Sequence, residues 1–198
     1  MQVSVPELIR ELSLTNESSS PEEIASLIAG LFETANKVRL TFPEHLANFN
    51  TGNLTADCRF LIFILAKVLN KKGIRTQTII RCKETNEIHP KLLVTDPNGV
   101  LYCLHFKKDE GRGNFNVKFD RISEDKVNEY SLLSGSPELV RDYLDRLHSI
   151  RKLIPKDPSV RLDAFTKRKA LQLIEEVEIE FEQFTNNKFF QTFKSKFA

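Results

Sequence analysis

The chain of 198 residues opens with apolar positions at helical spacing. Residues from about Pro6 to Leu14 suit a first helix. The polar link TNESSS follows, and then Ser20-Pro21-Glu22-Glu23, a cap, a proline at the first helical position and a carboxylate at the third. Ile24, Leu27, Ile28, Leu31 and Ala35 recur at helical spacing after it. LTFPEHLANFNTGN, rich in Pro, Asn and Gly, reads as a loop. The pattern then turns apolar all round from Phe60 to Ala66, the mark of a buried helix. Thr55 suits its cap, and Lys71, Lys72 and Gly73 suit its end.

Beyond Gly73 the period changes from helical to alternating. IRTQTIIRC, IHPKLLVT and VLYCLHF read as strands of an antiparallel meander over 74–107, and NVKFDRI as a fourth. From there the pattern is helical. Ser136-Pro137-Glu138 starts a helix with Leu139, Val140, Tyr143, Leu144 and Leu147 on one side. RKLIPKDPSV breaks it, and a long amphipathic helix spans roughly 160–184, followed by a tail rich in phenylalanine and lysine. The expected fold is α+β: a helix packed on a small antiparallel sheet, flanked by N- and C-terminal helices. Residues 1–150 form the α+β domain, and 151–198 a helical extension packed on it.

One turn fixes a register. Asp96-Pro97-Asn98-Gly99 has the residues of a type I turn with a left-handed glycine, giving a three-residue hairpin loop. Residues whose numbers sum to 196 then face each other, so Leu93 faces Cys103 and Lys91 faces His105. His89 lies two residues beyond Lys91, which makes His89 and His105 diagonal neighbours with backbones roughly 7–8 Å apart.

Composition narrows the function. The chain is 40% hydrophobic and 28% charged with a formal net charge of +2, ordinary for a globular protein and too small an excess to argue for nucleic acid. MQVSVPELIRELSL lacks the basic and apolar regions of a secretory signal, and no apolar run is long enough to span a bilayer. Three cysteines without a CxxC pair favour reduced thiols, hence a cytoplasmic location, with a signal-less export route left open.

Cys58 is the odd residue: a thiol in the first turn of the most buried helix, beside Asp57. A helix N-terminus favours the thiolate, a histidine can take the thiol's proton, a second histidine can orient the first, and the Cys58 amide can donate to an oxyanion. The competing reading is a small buried hydrophobe. Cys58, His89, His105 and Cys103 also raise a metal site, but their spacing fits no common zinc motif, so neither metal nor cofactor is expected. His45 and His148 are expected at the surface, and Asp96 as a turn residue only. In the tail, Phe189, Phe193 and Phe197 share a helical face. Packing on the chain's own domain competes there with a membrane-surface or partner contact.

The order of elements resembles that of the transglutaminase-like cysteine enzymes, a group with a papain-like catalytic core that includes arylamine N-acetyltransferases. The resemblance covers residues 52–107. ADCRFLIFILAKVLNKKGI is similar to the group's nucleophile helix, and HPKLLVTDPNGVLYCLHF to its histidine strand and the strand after it. It implies Cys58 as nucleophile, His89 as base and His105 at the third position, where the group carries Asp; Pro90 replaces the aromatic residue after the histidine. The implied activity is cysteine-dependent acyl transfer, by a thiol protease or amidase acting on protein or peptide. The oxyanion would rest on the Cys58 amide with Asn53 or Asn50. The alternative is an inactive domain of the same fold that serves as a protein-binding module.

Overall fold

The computed structural model describes residues 5–14, 20–33, 35, 42–50, 55–81, 88–96, 98–108, 115–153, 155 and 161–197. The first helices are α1 (Val5–Leu14), α2 (Pro21–Leu31) and α3 (Phe42–Asn50). Ser20 caps α2 through the expected reciprocal box: its hydroxyl accepts the Glu23 amide, and the Glu23 carboxylate accepts the Ser20 amide. The stretch read as a loop contains α3 instead. Its proline stands second in the helix, where no amide is needed, and Phe42 and His45 are buried one turn apart.

Helix α4 (Cys58–Lys71) is the centre of the molecule, with every residue from Arg59 to Ala66 buried. Four strands follow in a meander: β1 (Thr76–Arg81), β2 (Pro90–Thr95), β3 (Leu101–Lys108) and β4 (Phe115–Arg121). The hairpin between β2 and β3 has the register that the turn dictates, with Leu93 opposite Cys103 and Thr95 opposite Leu101. Asp96 closes it, since its carboxylate accepts the amides of Asn98 and Val100, and Gly99 takes the left-handed φ of 81°.

After the short helix α5 (Glu124–Val127) a fifth strand, β5 (Tyr130–Leu133), pairs antiparallel with the outer edge of β1. The sheet order is therefore β4-β3-β2-β1-β5, wholly antiparallel. The sequence pattern reads as purely helical here. Four residues are too few to show an alternation, and their strand conformation depends on a partner some fifty positions earlier.

The helices cover one face of the sheet. Leu92, Val94, Leu104 and Phe106 point to α4 and share a core with α1, α2 and α3. Next to it, Ile80 and Leu133 carry a second core made by α6 (Pro137–Arg151), α7 (Ala164–Glu180), α8 (Glu182–Thr185), α9 (Lys188–Lys194) and a final 3-10 turn. Phe181, Phe184 and Phe190 are buried there around Tyr143, and Phe189, Phe193 and Phe197 are buried beside them in ring contact with one another. The aromatic face of the tail is thus turned inward, and Lys194 bonds Glu178 at 2.8 Å on the rim. Among the described residues the opposite face of the sheet carries a small cluster of Ile79, Leu93, Cys103 and Ile122. Among the described residues no helix is long and apolar enough to cross a membrane.

Candidate functional site

The first turn of α4 is set by Asp57, not by Thr55. Asp57 has extended backbone, and its Oδ1 accepts the Phe60 amide at 3.0 Å. Thr55 lies too far ahead of the helix to cap it. Its hydroxyl is held by α3 instead, 2.9 Å from His45 Nδ1 and accepting from Asn48 Nδ2 at 3.3 Å. Cys58 becomes the first helical residue and is half-buried, neither wrapped in the core nor out in solvent.

The sulfur meets a histidine. Cys58 Sγ lies 3.2 Å from His89 Nδ1, within hydrogen-bond reach for sulfur. The topology explains why. Helix α4 runs antiparallel to β1, so its N-terminus lies at the end of the sheet where β1 finishes and β2 starts. His89 stands one residue before β2, where the pleat no longer dictates side-chain direction. Pro90 follows as the first residue of a central strand. The first position of a strand tolerates a missing amide even in the middle of a sheet.

His105 occupies β3 opposite Lys118, as the register requires. Leu104 and Phe106 face α4, so strand alternation turns His105 to the other face, with Cys103. Its Nδ1 is buried without a hydrogen-bond partner. Burial first, and then the nearby Lys91 charge, bring its pKa down to about 4, so the ring is neutral at pH 7. His89 is close enough to act on it electrostatically, but no hydrogen bond joins the two rings among the described residues. The structure brings Cys58 and His89 together and leaves His105 beside them, unbonded to either.

The remaining candidates are placed as follows. Asn53 and Cys82 lie outside the described residues, and for Asn50 only the backbone is described, as the last residue of α3. Cys103 is buried, which pushes its thiol pKa up, the opposite of activation. No group of three or more His, Cys, Asp or Glu side chains able to hold a metal occurs among the described residues. His45 and His148, expected at the surface, are 1% and 7% exposed. His45 is drawn in because its ring packs on Phe60, with centroids 5.0 Å apart, as well as pairing with Thr55; His148 lies on the packed side of α6.

No local pattern along the chain signals the charge cluster behind the first turn. Arg59, 8% exposed, directs Nε and one terminal nitrogen at Asp57 Oδ2, at 3.0 and 2.5 Å. Its other terminal nitrogen donates to Asp145 Oδ1 of α6 at 3.1 Å. Asp145 also accepts the Phe42 amide at 2.6 Å, which closes α3, α4 and α6 around the turn. His45 Nε2 is 3.7 Å from Asp57 Oδ2, outside hydrogen-bond distance, so it acts on that carboxylate through space. Burial alone would raise the Asp57 pKa; the His45 ring, the Arg59 charge and the Phe60 amide outweigh it and hold the pKa at about 2. A cavity of about 20 Å³ adjoins these groups, with room for a single water.

Chemically, this is a thiol at the positive end of a 14-residue helix, an imidazole in contact with it, and a buried ion cluster fixing the turn from behind. Comparison of the chain with protein-family models, curated proteins and solved structures finds no match in any of the three.

Proposed function

We propose that the protein is a cysteine-dependent acyl-transfer enzyme, a thiol protease or amidase acting on protein or peptide, with a transglutaminase-like arrangement of nucleophile helix and histidine strand. The observation that carries this reading is the 3.2 Å contact between Cys58 Sγ and His89 Nδ1 at a helix N-terminus. In the reaction the Cys58 proton passes to His89 Nδ1, and the sulfur bonds to the carbonyl carbon. The developing oxyanion takes the Cys58 amide, a donor in the first turn of α4. The carbon–nitrogen bond then breaks as His89 returns its proton to the leaving amine. Water, deprotonated by the same imidazole, hydrolyses the thioester and regenerates the thiol. The nucleophile must stay reduced, which suits the cytoplasm.

The lack of a hydrogen bond from His105 to His89 favours a second reading, a catalytically silent domain that binds protein. Without that bond His105 does not serve as the orienting third member of a triad. Two measurements decide. Fluorescently labelled denatured protein and a fluorogenic peptide library are offered to the wild type and to Cys58→Ala and His89→Ala variants. The enzyme reading expects turnover that falls at least about a hundredfold in each variant, the scale of a positioned general base. It also expects Cys58 to be alkylated by iodoacetamide faster than Cys103, with the advantage reduced in His89→Ala. An alkylation rate at Cys58 that ignores His89→Ala, together with no turnover, leaves the binding module.

A further inference from the structure

Asp57 is the wrong charge in the wrong place for a thiolate. An ionised carboxylate adjacent to a thiol raises the thiol's pKa by repulsion, and Asp57 is fully ionised at neutral pH. It also cancels part of the positive field that the helix end supplies to Cys58. Arg59, on the other flank of the cysteine, answers both effects. Two of its nitrogens converge on one Asp57 oxygen, and its side chain is 7% exposed, so the attraction acts with little solvent screening. Its planar fork presents two nitrogens to one carboxylate, which a lysine's single ammonium cannot do.

The third nitrogen adds a mechanical link. Through Asp145 the first turn of α4 is bonded to α6, and through the Phe42 amide to α3. Other charged or titratable groups facing the turn do not repeat this role. His45 of α3 stops 3.7 Å from Asp57. Arg141 of α6 lies over the rings of Phe42 and Phe63, at 4.6 and 5.4 Å, and bonds Asp142. Among the described residues at this end of the sheet, His89 touches the sulfur, and Lys91 is engaged with Tyr130.

We propose that Arg59 is a positioning residue for Cys58: it neutralises Asp57 beside the thiol and anchors the turn against α6, so that the thiolate forms facing His89. This inference rests on the cysteine–histidine reading and adds the group that governs the charge state of its nucleophile.

The test is the rate of Cys58 alkylation by iodoacetamide across pH in the full chain, read peptide by peptide in a mass spectrometer. It needs no substrate. Arg59→Gln moves the midpoint of the Cys58 profile up by about one pH unit, the lower end of what a neighbouring charge does. Arg59→Lys, which keeps the charge without the planar fork, moves it less. Asp57→Asn moves it down. The double variant Asp57→Asn/Arg59→Gln returns it towards the wild type. That double variant also covers poor folding of Arg59→Gln, since removing both partners of a buried pair is far milder than removing one. A wild-type midpoint in Arg59→Gln, or a double variant as displaced as the single one, overturns the proposal. His89→Ala is scored separately. If the profile follows the Asp57 and Arg59 substitutions but ignores His89→Ala, the cysteine–histidine reading fails and the role of Arg59 in setting the thiol's charge stands.

Discussion

The C-terminal core and the first turn of α4 are both buried, but they are built on opposite principles. Between α6 and α9 the interior is almost wholly apolar, with six buried phenylalanines and Tyr143, whose hydroxyl reaches the Phe184 carbonyl at 3.4 Å. Burial pushes the pKa of that hydroxyl well above its usual value, so it stays neutral at physiological pH. Around Asp57 the interior is ionic: two carboxylates and an arginine, with histidines on both sides. The first region does its work through volume, which is forgiving in direction and strict in amount. The second works through geometry and charge, and contributes little net stability, since desolvating an ion pair costs about what the attraction returns. A helix end that needed only stability would carry an apolar lining; the ionic one marks the turn as a place where position counts.

This contrast breaks most easily in the aromatic core. Phe184 is 1% exposed and in ring contact with both Tyr143 and Phe181. Phe184→Ala removes those contacts and leaves a cavity, at a cost of about 3–5 kcal/mol. At about 2–4 °C per kcal/mol for a chain of this size, the melting temperature falls by about 6–20 °C. Well below the new melting point, the Cys58 alkylation profile stays that of the wild type. A Phe184→Ala protein with normal melting, or one whose Cys58 profile shifts while folded, shows that the two regions are not separable in this way.

The two regions also differ in how far the sequence announced them. The phenylalanine spacing in the tail, the cap at Ser136 and the all-apolar α4 are local signals, and each element formed where they pointed. The register of β2 and β3 followed from one turn, because Asp96 and Gly99 act within four residues of each other. The order of elements, a cysteine at the start of α4 followed by a histidine just before β2, is what made the cysteine–histidine contact legible. The ion cluster was not legible, because Arg59 and Asp145 are 86 positions apart and no local pattern relates them. Helix α3 hid behind Pro, Asn and Gly, residues that mark loops in general but that also start and end helices. With α3 unseen, the burial of His45 and the true partner of Thr55 were unseen too. His105 shows the limit of alternation. The numbering put it on a face with His89, but His89 lies outside the ladder and its ring answers to α4.

His105 gives a smaller effect that sharpens the contrast within the sheet itself. Its pKa is about 4 in the folded protein and about 6.5 when unfolded. The unfolded chain therefore binds the extra proton more readily. The stability associated with the neutral ring is complete above pH 6.5, and is lost as pH falls from there through 4. His105→Gln, which has no proton to gain, flattens the fall of melting temperature across that window and leaves melting at pH 7.5 nearly unchanged. The Asp57 carboxylate behaves differently: its pKa is held low, so its contribution persists down to pH near 4 and disappears only as pH falls towards 2. Melting scans from pH 7.5 to 4 therefore isolate the histidine. A His105→Gln protein whose melting falls with acid as steeply as the wild type means that some other buried base dominates there.

The smallest expected effect concerns the turn that aligns the two strands. Gly99 has φ of 81°, a left-handed conformation, and an added Cβ would meet nothing within 4 Å. Gly99→Ala therefore carries only the backbone cost of that conformation, about 1–2 kcal/mol, which lowers the melting temperature by about 2–8 °C. The hydrogen bonds that hold the turn are made by Asp96, which bonds Val100 through both its backbone and its carboxylate. The register survives the substitution for that reason, and with it the approach of His89 to Cys58. Alkylation of Cys58 in Gly99→Ala keeps the wild-type pH profile at a lower melting temperature. A loss of the reactive thiol without general unfolding would mean that the strand had slipped by a residue. In that case the position of His89 depends on the glycine itself, not on Asp96.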